Sequence, residues 1–559
     1  MRSLCKILAL LLVMAATPQV WAGSDHAKPQ PGNNPAANPD ADRIFYQEAK
    51  LVETMHKFTP MVETYIQELK PDKELGNLPS GDKYFLGRLV LDEKGINNKV
   101  FDKRGPRSLL GRVLDRLNNF YKMNYASTGF MQLVFLNYAF DKDHYDLKFL
   151  REQFLGEVRT RVYDVIPRPH FKGPHFVGRI WVEDQDYTIV RMNGTYEPQS
   201  RGNYYFHFDS WRMNLQPGLW LPVYIYTEES DANYAAFRHL SMKGQTRLWG
   251  YDLKHSGVQS EYTNMRVESE DKQVADKSAN GDNEYVPVQS QHLWEREAED
   301  NLLDRMERAG IMAPDGEVSK VLQTVVNNLE ITNKLNIEPE VRCRVLLTTP
   351  LESFTIGHTI VVSRGLLDVL PDEASLAMVL AHDLGHIVLG HSLDTRYAFS
   401  DRMIFQDEEV FRRIAVHMNE HDEDAADQKG MELLKNSPYK DKLGSAGLFL
   451  VDLEKESHHL GWLINPRFGN KLTHASKARM GELAQSAPQL EVNNLAQIPA
   501  LPLGSRIKLN PWDDHVEIKK SKPVALLSPR DKMSFQVTPV IPNLVRYNGG
   551  NELAKQGDK

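Results

Sequence analysis

The pattern of hydrophobic and polar positions changes several times along this 559-residue chain. Between residues 42 and 69 apolar positions recur at helical spacing, and Pro60 predicts a break between two helices. From about residue 83 to residue 270, short aromatic and β-branched runs alternate with turn residues, which is typical of strands. A polar linker follows, and the helical period then returns. The pattern therefore predicts a multidomain α+β protein, in which an antiparallel β-rich domain precedes a mainly helical one.

The β-rich region is expected to form one antiparallel sheet that is strongly curved or partly closed, like half of a barrel. Its clearest hairpin comprises strands at 175–182 and 187–192, joined by a polar, acidic turn. Further strands are predicted at 130–136, 204–212, 220–227 and 262–268.

The second half of the chain alternates longer helical segments with short strands. Helices are predicted at 293–309, 318–329, 371–390, 407–435 and 443–456, and strands at 341–348, 359–363 and 516–519. The last sixty or so residues are rich in proline. They are expected to form an extension beyond the helical domain.

The two ends of the chain differ from its middle. Residues 1–22 combine a basic start, an apolar stretch and a small-residue cleavage site, which predicts a secretory signal peptide. Residues 23–41 have little to bury and are expected to be a disordered leader. The predicted divisions are a signal at 1–22, a leader at 23–41, a helical lead-in with the β-rich domain at 42–270, a linker at 271–289, a helical domain at 290–490 and an extension at 491–559.

Composition narrows the class of protein. A net charge of -8 argues against a nucleic-acid partner, because phosphate binding needs a basic face. No later run is long enough for a transmembrane helix, so we expect an exported protein, periplasmic or secreted. Cleavage of the signal would remove Cys5 and leave Cys343 as the single thiol, which excludes an internal disulfide.

Two His-x-x-x-His pairs stand out, although 19 histidines would give about one such pair by chance. His382 and His386 lie in a helix that is apolar almost all round and is therefore expected to be buried. Buried imidazoles need a partner, and a zinc ion with nitrogen ligands is one. The alternative is a pair of core histidines bonded to backbone carbonyls. His417 and His421 lie among charged residues, which favours a solvated helix face.

A catalytic zinc site usually has three protein ligands and one open position. Glu423 follows His386 by 37 residues, and Asp427 lies on the same helical face. The small residues Ala425 and Ala426 would allow this helix to approach the histidine helix closely. Asp427 is then expected to hold a ligand histidine through its other ring nitrogen.

The sequence His382-Asp-Leu-Gly-His386, followed by Glu423-x-x-Ala-Asp427, resembles the M48 family of zinc metallopeptidases. The segments 354–367 and 473–480 are similar to further motifs of that family, so the resemblance covers roughly residues 290–485. It implies a zincin-type metallopeptidase domain with a small edge sheet. It also implies one zinc ion per chain, bound by His382, His386 and Glu423.

The same resemblance implies roles for other residues. His474 and Arg479 match residues near the substrate and the oxyanion. Strand 359–363 is expected to be an edge strand that holds an extended peptide. His391 is expected to support the site from the helix end without being a fourth ligand. His358 is expected to be a loop residue.

One position departs from the family pattern. Asp383 stands where the family has a glutamate general base, and aspartate is shorter by one methylene group. The resemblance implies a zinc-dependent metalloendopeptidase that hydrolyses peptide bonds with a zinc-activated water, acting in envelope protein quality control. The alternative is a zinc-binding pseudopeptidase with a binding or chaperone-like role.

The β-rich region offers a second, shorter resemblance. Residues 177–196, a strand, an acidic turn and a strand, resemble the lipoprotein-carrier (LolA-like) half-barrel fold. This implies an envelope lipoprotein or an outer-membrane protein as a partner, beside protein or peptide substrates. An antiparallel domain without a lipid pocket is the alternative.

Overall fold

The structure is a computed structural model. It describes residues 39–73, 76–92, 95–100, 130, 135–136, 139–169, 171, 174–197, 206–235, 238–251, 287–391, 418–465, 468–469, 472–474, 477–489, 507–510, 512–518 and 535–547. The predicted signal, most of the leader, the strand at 262–268 and the first part of the helix at 407–435 lie outside the described residues. Residues from Asp40 onward form one compact unit. The division of the chain into domains stays a prediction.

A single antiparallel sheet dominates the first half of the chain, as predicted. Its strands are β1 (Met61–Asp72), β2 (Gly76–Asp92), β3 (Gly95–Val100), β4 (Tyr145–Leu155), β5 (Val158–Pro167), β6 (His175–Glu183), β7 (Ile189–Glu197), β8 (Phe208–Gln216), β9 (Leu219–Ala235) and β10 (Arg238–Trp249). Their order across the sheet is β3-β2-β1-β10-β9-β8-β7-β6-β5-β4. The predicted hairpin is formed by β6 and β7. The strand expected at 130–136 is absent at the described positions 130, 135 and 136.

The prediction of a second helix after Pro60 was wrong, because this segment is strand β1. Both faces of β1 are buried: Met61 and Tyr65 belong to one hydrophobic core, and Val62 and Ile66 belong to the other. A strand that is apolar on both faces has no polar alternation. The apolar residues of β1 that are four positions apart then fit the helical period as well as the strand period.

Helix α1 (Pro39–Met55) covers one face of the sheet, and we call this the inner face. The helix begins inside the predicted leader, which is therefore helical at 39–41. Asp40 forms an ion pair with Arg161 of β5 at 2.6 Å. Glu48 forms a buried ion pair with Arg212 of β8, also at 2.6 Å. These contacts explain why the helix starts earlier than composition suggested.

The second half of the chain is mainly helical with small sheets, as predicted. Its helices are α2 (Pro287–Arg308), α3 (Glu317–Asn333), α4 (Arg364–Val369), α5 (Glu373–Val388), α6 (Glu420–Lys435), α7 (Gly444–Glu456), α8 (Gly461–Ile464) and α9 (Gly481–Gln485). The strands are β11 (Arg342–Leu346), β12 (Ser353–Ile356), β13 (Thr359–Ser363), β14 (Thr473–His474), β15 (Lys477–Ala478), β16 (Ile507–Leu509) and β17 (Val516–Ile518). Helix α2 begins inside the predicted linker. Among the described residues, no helix has the length and apolar character needed to cross a membrane.

The outer face of the large sheet packs against the helical half, and one hydrophobic core includes residues of both. Glu63 of β1 lies at this junction and accepts a hydrogen bond from the guanidinium of Arg364 at 2.7 Å. Asp82 of β2 accepts hydrogen bonds from the backbone N–H groups of Trp462 and Leu463. The sheet and the helical half are thus joined by polar contacts inside an apolar interface.

A segment near the C-terminus, residues 535–547, runs over the same outer face. The backbone N–H of Val537 donates to Gln67 Oε1 of β1 at 2.8 Å. The backbone N–H of Tyr547 donates to Asn214 Oδ1 of β8 at 2.8 Å. Since β1, β10, β9 and β8 are consecutive in the sheet, this segment crosses the strands and ties them together.

Candidate metal centre

Helix α5 carries both histidines of the first pair. Asp372 caps its N-terminus, because the carboxylate accepts a hydrogen bond from the backbone N–H of Ser375 at 2.9 Å. The helix is buried on all sides over most of its length. His382 and His386 are therefore both buried, one turn apart on the same face.

Helix α6 packs closely against α5 because small residues lie where the helices meet. A Cβ atom on Gly385 would lie 2.8 Å from the carbonyl oxygen of Ala426, and one on Gly430 would lie 3.0 Å from that of Ala381. The sequence pointed to Ala425 and Ala426 but not to the two glycines. The close approach brings Glu423, in the first turn of α6, to the histidine pair.

Donor atoms of three residues converge between the helices. Nε2 of His382 lies 3.2 Å from Nε2 of His386 and 3.4 Å from Oε2 of Glu423. Nε2 of His386 lies 3.6 Å from Oε1 of Glu423. Ligands placed tetrahedrally at about 2.0–2.1 Å from a zinc ion lie about 3.3–3.4 Å from one another. The three separations fit a zinc ion.

The chemistry of the donor set also fits. Neither carboxylate oxygen of Glu423 has a hydrogen-bond partner among the described residues, although both are buried. A buried carboxylate without donors is costly, and a cation removes this cost. His382, His386 and Glu423 are grouped as a possible metal-binding set in the described part of the chain.

Asp427 lies on the far side of His382 from the other donors. Its Oδ1 is 2.8 Å from Nδ1 of His382, so Nδ1–H donates to the carboxylate and Nε2 is left with its lone pair. Burial opposes protonation of His382, but the neighbouring carboxylates of Asp427 and Glu423 outweigh it and raise the pKa to about 10. The carboxylate thus fixes the orientation of the ring.

His391 plays the same geometric part for His386. Its Nδ1 lies 3.0 Å from Nδ1 of His386, and its Nε2 lies 3.8 Å from Oδ1 of Asp422. Burial, followed by the positive charges of His382, His391 and Arg479, lowers the pKa of His386 to about 2. His391 therefore lies behind His386, and Asp422 is a contact that the sequence reasoning missed.

Asp383 follows the first histidine and is fully buried. Burial raises the pKa of its carboxyl group to about 7. Ser353 of β12 lies beside it, yet neither carboxylate oxygen meets a donor in hydrogen-bonding geometry among the described residues. A second unsatisfied carboxylate thus adjoins the three donor atoms.

Arg479 and His474 occupy different places. Nε of Arg479 lies 3.5 Å from Oε2 of Glu423, and Nη1 lies 3.2 Å from Oδ1 of Asp424, so its guanidinium adjoins the donor set. His474 is half exposed and pairs with Glu420 at 2.7 Å, one turn before Glu423. Arg479 is thus brought to the centre, and His474 to the rim of α6.

The remaining histidines that the sequence drew attention to lie elsewhere. The side chain of His421 is 93% exposed, and His417 lies outside the described residues. His358 is in the turn between β12 and β13, where its backbone N–H donates to Glu299 at 3.0 Å. Cys343 is buried in β11 as a free thiol and is not part of the donor set.

The expectation that strand 359–363 lies at an edge was wrong. In the small sheet the order is β11-β13-β12, so β13 is central and both its edges are paired. The edge strands are β11 and β12, and β12 includes Ser353, which lies beside Asp383. The sequence gives the strands but not their order, because order depends on a parallel pairing between β11 and β13.

Two histidines one turn apart on a buried helix and a carboxylate from a second helix form a donor set of the kind found in the His₂Glu centres of zinc metallopeptidases. Residues 314–422 match the model described as Peptidase family M48, which confirms the resemblance over this stretch. The match contains His382, Asp383 and His386. It ends one residue before Glu423, so the third donor is supported by geometry.

Two solved structures are also similar to this chain. One is an outer membrane lipoprotein-sorting protein domain from Vibrio parahaemolyticus, with 9% identity and a TM-score of 0.18, covering 37% of this chain and 91% of that one. The other is a DUF1329 family protein from Desulfovibrio piger, with 7% identity and a TM-score of 0.19, covering 37% and 92%. At these TM-scores neither likeness carries an argument about function. No curated protein matches the chain.

Proposed function

We propose that this protein is an exported, zinc-dependent metalloendopeptidase that cleaves envelope proteins or peptides. The observation that carries the proposal is the convergence of His382, His386 and Glu423. The two Nε2 atoms lie 3.2 Å apart, and the two carboxylate oxygens of Glu423 lie 3.4 and 3.6 Å from them, close to the edge of a zinc tetrahedron. The match of residues 314–422 to the M48 family supports it.

A bound zinc ion would polarise the substrate carbonyl and lower the pKa of a water ligand. The chain supplies the rest. Asp383 would accept a proton from the attacking water and pass it to the leaving amine. Asp427 and His391 hold the rings of His382 and His386 in position. Arg479 places a positive charge beside Glu423, on the side where an oxyanion would be stabilised.

The length of Asp383 limits the expected rate. Compared with glutamate, aspartate withdraws the carboxylate by roughly 1–1.5 Å, and a misplacement of that size can cost about a hundredfold. The same feature supports the alternative, a zinc-binding pseudopeptidase that acts as a binding or chaperone-like protein.

An extended substrate would pair with β12 rather than β13, since β13 is paired on both sides and β12 is the edge strand that lies beside Asp383. This edge is covered in part: Gly469 packs against the carbonyl oxygen of Ser353, and the backbone N–H groups of Phe468 and Gly469 donate to Glu352 Oε2. The segment around Gly469 would therefore have to shift before a peptide paired with Ser353.

The test measures zinc content and casein cleavage for the wild type, Asp383→Glu and Asp383→Ala. We expect about one zinc per chain in all three, with Asp383→Ala slowest and Asp383→Glu up to about a hundredfold faster than wild type. If wild type cleaves casein no faster than Asp383→Ala, and Asp383→Glu cleaves it faster than both, the natural chain is a pseudopeptidase. Zinc missing from all three would refute the metal site. His421→Ala, on an exposed side chain, is the control that should keep its zinc.

Export is part of the proposal and has its own test. Residues 1–22 carry the signal pattern, so the mature protein should begin at Gly23. N-terminal sequencing of the protein recovered from the cell envelope or medium would measure this. An intact Met1 in that fraction would count against it.

A further inference from the structure

A second site lies on the outer face of the large sheet, apart from the metal centre. Strands β8 to β10 form its floor, and the hairpin of β16 and β17 and the segment 540–543 form its walls. The cavity has a volume of about 670 Å³, within the range of small-molecule sites. None of the donor residues of the metal centre is among its lining residues in the described part of the chain.

The walls are largely apolar. Apolar side chains that line the cavity include Met213, Val223, Trp249, Leu509, Ile518 and Val540. The floor strands are interior strands, each with a neighbouring strand on both sides, so they present no free edge of the sheet. An extended peptide could not add to them as a further strand. The floor instead suits a ligand that is held by apolar contact.

Two guanidinium groups line the same cavity. Arg364 is buried and is hydrogen-bonded to Glu63, whose two oxygens already accept four hydrogen bonds. Arg247 lies next to it: burial, and then the charge of Arg247, lower the pKa of Arg364 to about 10. The negative charges of Glu63 and Asp368 act in the opposite direction on this pKa. Asp368 also accepts a hydrogen bond from the backbone N–H of Ile507 at 2.8 Å.

Arg247 is the less satisfied of the two. Its Nη2 donates to Gln245 Oε1 at 3.4 Å, and its buried Nε has no hydrogen-bond partner among the described residues. A buried cationic donor without an acceptor is costly, and an anionic group removes that cost.

The other charged residues that line the cavity lie on its hairpin side. Lys508 and Glu517 pair with each other at 3.8 Å and are partly exposed. Asp514 accepts a hydrogen bond from the backbone N–H of Gly250 at 3.4 Å. The acidic groups of the hairpin thus have cationic or N–H partners, whereas Arg247 keeps an unused donor.

We propose that this cavity binds an amphipathic anion, with an acyl chain against the apolar walls and a carboxylate or phosphate head group on Arg247. The proposal is independent of zinc and of peptide cleavage. A free fatty acid and an acyl phospholipid share this chemistry, and the experiment distinguishes them.

The test titrates the full mature chain with cis-parinaric acid, a fluorescent fatty acid, below its aggregation limit. We expect saturable binding of one molecule per chain. Palmitate, which has a carboxylate head group, and palmitoyl lysophosphatidic acid, which has a phosphate, are each tested as competitors of cis-parinaric acid. The competitor with the higher affinity identifies the preferred head group. Hexadecanol, which lacks the charge, should compete at least about tenfold more weakly.

Two variants probe the two parts of the site. Arg247→Met should weaken binding at least about tenfold, while Arg151→Met, which removes an exposed arginine of β4, should leave it unchanged. Leu509→Trp should block binding by filling the cavity, and it decides the question if Arg247→Met fails to fold. The proposal is overturned by an absence of saturable binding, by hexadecanol competing as well as palmitate, or by Leu509→Trp binding like wild type.

Discussion

Buried carboxylates occur both at the junction between the large sheet and the helical half and at the metal centre, but their hydrogen bonding differs. Glu63, at the junction, is 1% exposed and accepts hydrogen bonds from Arg364, from Tyr84 and twice from Thr349. Glu423 and Asp383, at the metal centre, are as deeply buried, and none of their oxygens has a hydrogen-bond partner among the described residues.

The difference separates a structural role from a functional one. Burying a charged group without a partner costs several kcal/mol, so a fold normally surrounds it with donors, as it does for Glu63. Two adjoining carboxylates without hydrogen-bond donors lie next to two imidazole nitrogens. This arrangement fits a site that holds a cation and transfers a proton. The two regions differ in whether their buried carboxylates have hydrogen-bond donors, more than in how deeply those carboxylates are buried.

Glu63→Gln should have the largest effect, because it leaves Arg364 as a buried charge without a countercharge. We expect a loss of about 3–5 kcal/mol in the free energy of unfolding, measured by urea denaturation. Adding Arg364→Met should recover part of the loss, since neither charge then remains. Glu152→Gln, which removes an exposed carboxylate paired with Arg159, should stay within about 0.5 kcal/mol. A loss as small as that control would mean that Glu63 is not structural.

Asp427→Asn tests the metal centre in the same way. The amide keeps the size of the side chain but loses the charge that orients His382. Zinc affinity should fall about ten- to hundredfold, measured by competition with a chelator, with little change in unfolding in the absence of metal. Glu432→Gln, an exposed position on the same helix, is the matched control. Unchanged affinity in Asp427→Asn would show that the carboxylate does not position the ligand.

Gly385→Ala tests the close approach of the two helices. The new Cβ would lie 2.8 Å from a backbone oxygen of α6, which cannot rotate away. Because the backbone oxygen cannot move aside, overpacking should cost about 2–3 kcal/mol, the upper part of its usual range. The better helix propensity of alanine offsets about 1 kcal/mol, so a net loss of about 1–2 kcal/mol is expected. Gly481→Ala meets no atom within 4 Å and should be neutral. Thermal unfolding of both variants, together with their zinc content, measures the effect.

Asp82 gives the smallest effect and concerns the junction. Burial raises the pKa of its carboxyl group from 3.8 to about 6. Between these values the folded protein holds a proton that the unfolded chain has released, so stability falls as pH rises through about 6. Relative to Asp82→Asn, which does not titrate there, wild type should lose about 1 kcal/mol between pH 5 and pH 7. Urea unfolding at both pH values measures this, and parallel curves would contradict it. The exposed Asp143→Asn should follow wild type.

Much of the candidate site could be predicted from sequence because its residues lie at helical spacing. His382, His386, Glu423 and Asp427 were placed by period and motif, and the geometry brings them together. The two glycines of the helix contact were missed, since a close approach depends on what faces the residue. Arg479 could be placed only through the resemblance, because 52 residues separate it from Asp427 along the chain.

The sequence predicted most of the longer helices but failed at strand β1. This strand was interpreted as a helix because both of its faces are buried, which removes the alternation that identifies a strand. The sequence by itself determined the longer helices, the two histidines and the acidic helix, since these follow from local period and chemistry. The tertiary structure decided the order of β11, β13 and β12 and the cavity at Arg247. It also decided that Glu63 is surrounded by hydrogen-bond donors and that Glu423 and Asp383 are not. Those depend on contacts between segments far apart in the chain, which no local pattern specifies.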